Sequence, residues 1–93
     1  MTDIIAELQA VLQQRQASPT PSSYTSQLLA QGEDEIVKKI GEEAVEVILA
    51  AKGQGNQRVV EETADLLYHL LVLLVSRGQT WQEVTAELAR RRR

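Results

Sequence analysis

The sequence predicts an all-α domain, and three observations carry that prediction. Apolar residues recur every three to four positions through most of the chain, the breaks between such stretches hold proline, glycine or serine, and no stretch alternates as a strand would. The 93 residues leave room for one core rather than two, so residues 1–93 are read as a single domain.

The first helix is expected from about Asp3 to Arg15, with Thr2 as candidate N-cap and Ile4, Ile5, Leu8, Val11 and Leu12 as its stripe. "ASPTPSS" ends it, because neither Pro19 nor Pro21 fits a helix interior. A short helix follows from Ser23 to about Gln31, capped by Ser22 or Ser23 and stopped at a left-handed Gly32. The first long helix is expected over Glu33 to Lys52, opening on acids that suit a helix N-terminus. Ile36, Ile40, Ala44, Val47, Ile48 and Ala51 form its apolar stripe, with Glu43 at the edge. Gly41 weakens this helix by roughly 1 kcal/mol relative to alanine, which is tolerable where a neighbour approaches closely.

The "GQGN" turn leads into a second long helix, from about Gln57 to Arg77, capped by Asn56 and stopped by Gly78. "TWQE" is a capping box of Thr80 and Glu83 that starts a last helix, with Trp81, Val84 and Leu88 on one face. The run "LLYHLLVLLV", Leu66 to Val75, is apolar on every side and needs covering all round. So small a chain covers it most simply by homodimerising.

Charge and composition exclude several functions. A net charge of -3 argues against a general nucleic-acid binder, and Arg90 to Arg93 read as a solvated tail suited to a helix C-terminus. Cysteine is absent, which removes disulfides and thiolate metal sites and fits a reducing compartment. The longest apolar run is half a membrane span and no basic-then-apolar leader opens the chain, so a soluble, cytoplasmic protein is expected.

Two carboxylate pairs remain. Glu43 and Glu46 stand at i, i+3 on the first long helix, Glu62 and Asp65 at i, i+3 on the second, and the hairpin turn brings the two faces together. Glutamate is cheap in an acidic chain, and either pair alone is more simply a solvated surface. Together, in a partly desolvated groove, four carboxylates repel one another, and a divalent cation resolves the conflict. Oxygen ligands alone point to Mg²⁺, or Mn²⁺, and Mg²⁺ commonly takes further oxygens from a phosphate substrate. Asp65 heads the apolar run and shares a face with His69, which is read as a core histidine bonded to Asp65 or to a carbonyl. Lys39 lies beside the acids as a phosphate ligand or as the i, i+4 partner of Glu43, while Lys38, Lys52 and Arg58 are further cations within reach.

These residues carry a family resemblance. "EEAVE" and "EETAD" resemble the signature of the all-α MazG-like nucleoside triphosphate pyrophosphatases, and "SYT", "KKIGEE" and "ADLLYH" together resemble the phosphoribosyl-ATP pyrophosphatases. The resemblance spans Ser23 to about Arg77. It implies a helical dimer with active sites drawn from both subunits, and Mg²⁺-dependent hydrolysis of the α–β bond of phosphoribosyl-ATP in histidine biosynthesis. It also implies Glu43, Glu46, Glu62 and Asp65 as metal ligands, and Glu42 and Glu43 as the catalytic carboxylates, Glu42 as an added ligand or water-orienting base. Ser23, Tyr24 and Thr25, which match the family's "SYT", are implied as substrate contacts, with capping and packing as their plainer roles, while Lys39 is added to them from its place beside the acids. The cyclohydrolase of the next step, fused to this domain in some lineages, is expected to be a separate chain here. The rival readings are a house-cleaning pyrophosphatase acting on other nucleotides and a non-enzymatic helical dimer.

Overall fold

A computed structural model describes residues 3–92. Five helices follow one another: α1 (Ile4–Ala17), α2 (Tyr24–Gln31), α3 (Glu33–Gly53), α4 (Asn56–Ser76) and α5 (Trp81–Arg91). The described residues contain no strand.

The helix ends follow local chemistry. Thr2 lies outside the described residues; Asp3 caps α1, its carboxylate accepting from the Ile5 amide at 3.0 Å. Ser23 caps α2 by accepting from the Ser26 amide at 3.1 Å. Gly32 joins α2 to α3 as a single residue at φ 98° and ψ 175°, positive in φ yet extended rather than left-handed helical. Asn56 is the first helical residue of α4 and not its cap, a position held by Gly55 at φ 92°. A side chain is strained at either φ, so at position 55 glycine's freedom replaces a capping bond. Gly78, at φ 70°, ends α4 as expected, its amide reaching the Val75 carbonyl while that of Gln79 reaches Leu74. Thr80 and Glu83 form the expected capping box of α5.

Leu12, Leu28, Ile36, Leu71, Val72 and Val75 make the core, flanked by Ile5, Leu8, Leu29, Ile40, Tyr68 and Trp81. It therefore sits where α1 and α2 cover the first half of α3 and the second half of α4. Gln9, buried in α1, accepts from the Trp81 amide at 2.6 Å and donates to Gln82, which docks the start of α5. Trp81 and Val84 are half-buried, while Leu88 is exposed. Arg77 pairs with Glu33 at 2.7 Å and ties the end of α4 to the start of α3.

The other half of the α3–α4 hairpin projects from this core. The Cα radius of gyration is 14.4 Å, against about 12 Å for a compact chain of this length. On the projecting half Ala50 is buried, whereas Ala51 and Ile48, expected in the stripe, are exposed. The buried line of α3 runs through Ile36, Ile40, Glu43, Val47 and Ala50, so Glu43 lies within the stripe. A β-carbon at Gly41 would meet nothing within 4 Å in the protomer.

Candidate metal centre

The site stands where α3 and α4 face each other beyond the core. Glu43 points from α3 toward α4, and Glu62 and Asp65, one turn apart on α4, meet it. Their carboxylate oxygens lie within 4.8 Å of one another. Glu62 is buried, Glu43 half-buried and Asp65 exposed, although Asp65 heads the apolar run of α4. Asp65 sits at the mouth of the group, and Glu62 forms its floor.

Glu46 is not among these three. It follows Glu43 by three residues and so points about 60° away around the helix, toward the flank that faces Arg58. Glu42 is exposed and pairs with Lys39 at 3.5 Å, so the lysine takes the i, i+3 glutamate rather than Glu43. Lys39, Glu42, Glu43, Val45 and Glu46 line an open concavity of about 420 Å³. The guanidinium of Arg58 forks between Glu61, at 2.6 Å, and the buried Glu62. That fork holds the Glu61 carboxyl below the usual carboxylate range, with Gln57 assisting.

His69 has the carbonyl partner expected of it, and that bond selects the tautomer of the neutral ring. Nδ1 lies 2.7 Å from the Asp65 carbonyl oxygen, which only accepts, so Nδ1 carries the hydrogen. Nε2 is then the acceptor for the Tyr24 hydroxyl at 3.0 Å. Both imidazole nitrogens are engaged, so His69 is no metal ligand. Tyr24 stacks on Tyr68 with centroids 6.3 Å apart, and Tyr68 stands perpendicular to His69 at 5.0 Å. Nearly half of Tyr24 is exposed, yet its hydroxyl end is turned inward. Burial pushes the phenol up from its ordinary range, the Lys39 ammonium opposes this, and Tyr68 and Glu43 add to it. Ser23 and Thr25 have their hydroxyls engaged within the protein, Ser23 in the cap and Thr25, buried, with Tyr68. Of the "SYT" segment, Tyr24 alone offers substantial exposed surface beside the acids.

The donor set fits a hard divalent ion. Three carboxylates converge with no sulfur and no free imidazole among them, the oxygen-only chemistry that Mg²⁺ and Mn²⁺ favour. Sequence periodicity missed two features of this place, Arg58 on Glu62 and Glu43 at the centre of the packed face. The i, i+4 spacing of Arg58 and Glu62 was the available signal for the first.

A protein from Lactiplantibacillus plantarum named phosphoribosyl-ATP pyrophosphatase is 52% identical over 91% of this chain and 80% of its own length. One of the same name from Pyrobaculum aerophilum is 54% identical over 95% of this chain and 94% of its own length. Another from Pelotomaculum thermopropionicum is 53% identical over 97% and 92%. Residues 5–92 match the family described as phosphoribosyl-ATP pyrophosphohydrolase, and the chain belongs to that family.

Proposed function

We propose that the protein hydrolyses the α–β phosphoanhydride of phosphoribosyl-ATP to phosphoribosyl-AMP and pyrophosphate, the second step of histidine biosynthesis. The observation that carries this reading is the group of Glu43, Glu62 and Asp65, set on the two helices that carry the "EEAVE" and "EETAD" stretches. Glu43, Glu62 and Asp65 would hold Mg²⁺, which when bound supplies Lewis-acid stabilisation of charge on the phosphoryl oxygens. Glu46, one turn on from Glu43 and lining the same concavity, is proposed as the fourth carboxylate for the metal. Glu42, free of the group and open to solvent, orients the attacking water and accepts its proton. The water oxygen bonds to one phosphorus of the α–β anhydride, that same phosphorus loses its bond to the bridging oxygen, and the bridging oxygen leaves with the other phosphorus. Lys39, held by Glu42 at the rim, and the exposed ring of Tyr24 contact the substrate.

Residues 1–93 act as one domain in this reading, in the cytoplasm, with the cyclohydrolase on a separate chain. The protein works as a homodimer. Val37 on the first half of α3, and Ile48 and Val60 on the projecting hairpin, are 45%, 59% and 62% exposed, an apolar surface that a second copy would cover. Sedimentation equilibrium of the wild type and Ile48→Asp tests this, and a monomeric wild type removes it.

The activity is tested by pyrophosphate release from phosphoribosyl-ATP and from a panel of nucleoside triphosphates, each with Mg²⁺ and with chelator. Preference for phosphoribosyl-ATP and loss of turnover in chelator are expected. Preference for the panel, or turnover indifferent to chelator, overturns the reading.

A further inference from the structure

Arg58 is the one basic side chain among the described residues that is ion-paired to a member of the three-carboxylate group. Its placement is specific. The guanidinium reaches forward to Glu62, whose side chain is 7% exposed, and sideways to Glu61, and about half of it stays open to solvent. Glu46 lies close enough to add to its charge environment. In the cation-free protein Arg58 therefore partly neutralises the most buried carboxylate of the group.

The charge balance gives it a second task. One divalent ion and one guanidinium together only offset three carboxylates, so an arriving phosphoanhydride meets no positive excess and needs a direct cationic contact, which Arg58 can supply. A planar guanidinium fork matches phosphate oxygens as well as it matches carboxylates. Lys39, the other cation beside the acids, is held by the exposed Glu42 on the opposite helix.

We propose that Arg58 is a phosphate-binding residue held in reserve on Glu62, serving as that carboxylate's counter-ion until a cation binds and as a ligand for substrate phosphate afterwards. The proposal rests on the metal reading of Glu43, Glu62 and Asp65. It is tested by measuring Mn²⁺ binding to the wild type, Arg58→Ala and Arg58→Lys by electron paramagnetic resonance, then the binding of inorganic pyrophosphate to each Mn²⁺-loaded protein by calorimetry. Arg58→Ala is expected to bind Mn²⁺ about threefold to tenfold more tightly, because no guanidinium competes for Glu62, and pyrophosphate about tenfold more weakly. Arg58→Lys is expected to restore the metal affinity and recover part of the pyrophosphate affinity, since an ammonium cannot fork. Arg58→Ala with unchanged or weaker Mn²⁺ affinity, or with unchanged pyrophosphate affinity, overturns the proposal. A wild type that binds no Mn²⁺ overturns the metal reading itself, and the proposal with it.

Discussion

Glu43→Gln is expected to stabilise the metal-free protein and to disable it. The substitution keeps the shape of the side chain and removes one of three negative charges whose oxygens lie within 4.8 Å of one another. At that separation and an effective permittivity of 20, a pair of unit charges repels by about 3.5 kcal/mol. Asp65 is exposed and Glu43 half-buried, so solvent screens most of this and leaves about 1 kcal/mol of relief. In a domain of this size that raises the melting temperature by about 4–8 °C, measured in chelator at low ionic strength, and the gain shrinks as salt is added. Mn²⁺ affinity is expected to fall by about 100-fold or more, and pyrophosphate release with it. A variant that melts at or below the wild type in chelator, or binds Mn²⁺ as the wild type does, refutes the reasoning. Opposite signs for stability and binding separate a ligand group from a solvated acidic surface, where neutralising one residue changes little of either.

Leu71 is 0% exposed at the centre of the core, so Leu71→Ala is expected to lose about 2–5 kcal/mol in urea unfolding, with an unchanged slope. Thr80→Ala removes one half of the α5 capping box and is expected to lose about 1 kcal/mol, with pyrophosphate release retained at a temperature where the variant is folded. Tyr24 has a folded pKa raised above its ordinary 10.0, chiefly by burial. The folded state thus keeps this proton when the unfolded chain has lost it, so stability declines as pH rises from about 10 through the folded pKa. Tyrosinate absorbance and urea midpoints between about pH 9 and 11 check this, and Tyr24→Phe is expected to flatten that part of the profile.

Much of the fold was legible because its signals are local. Proline pairs, the serine before "YT", Gly78 and the Thr80–Glu83 box each act within a few residues, and their elements stand where the sequence put them. The tie from Gln9 to the start of α5 was not legible, since a glutamine on a polar-to-apolar boundary looks the same whether or not an amide 72 residues away needs an acceptor. The site was half legible. Spacing placed Glu62 and Asp65 on one face of α4, but whether the aspartate is sheltered depends on how far α1 and α2 reach along the hairpin, and they stop short of it.

The placement of Glu43 shows why periodicity alone misjudged α3. At about 100° per residue, Ile36, Ile40, Val47 and Ala50 point in one direction, and Glu43 falls among them. Val37 and Ile48 point roughly a third of a turn away and are exposed in the protomer. One helix thus carries two adjacent apolar faces, one packed on α4 and one without a partner in this chain. Averaging over both rotates the apparent stripe away from α4 and moves Glu43 from its middle to its edge. The carboxylate therefore looked like a charge beside a core, whereas it occupies a core-facing position where α1 and α2 no longer cover the hairpin. An uncompensated charge in such a position is costly unless something of opposite sign meets it. Glu43 forms no ion pair among the described residues, while Glu62 has Arg58. The cation proposed for this site is the group that would supply what Glu43 lacks, which makes the metal-free protein the strained form and Glu43→Gln the variant that relieves it.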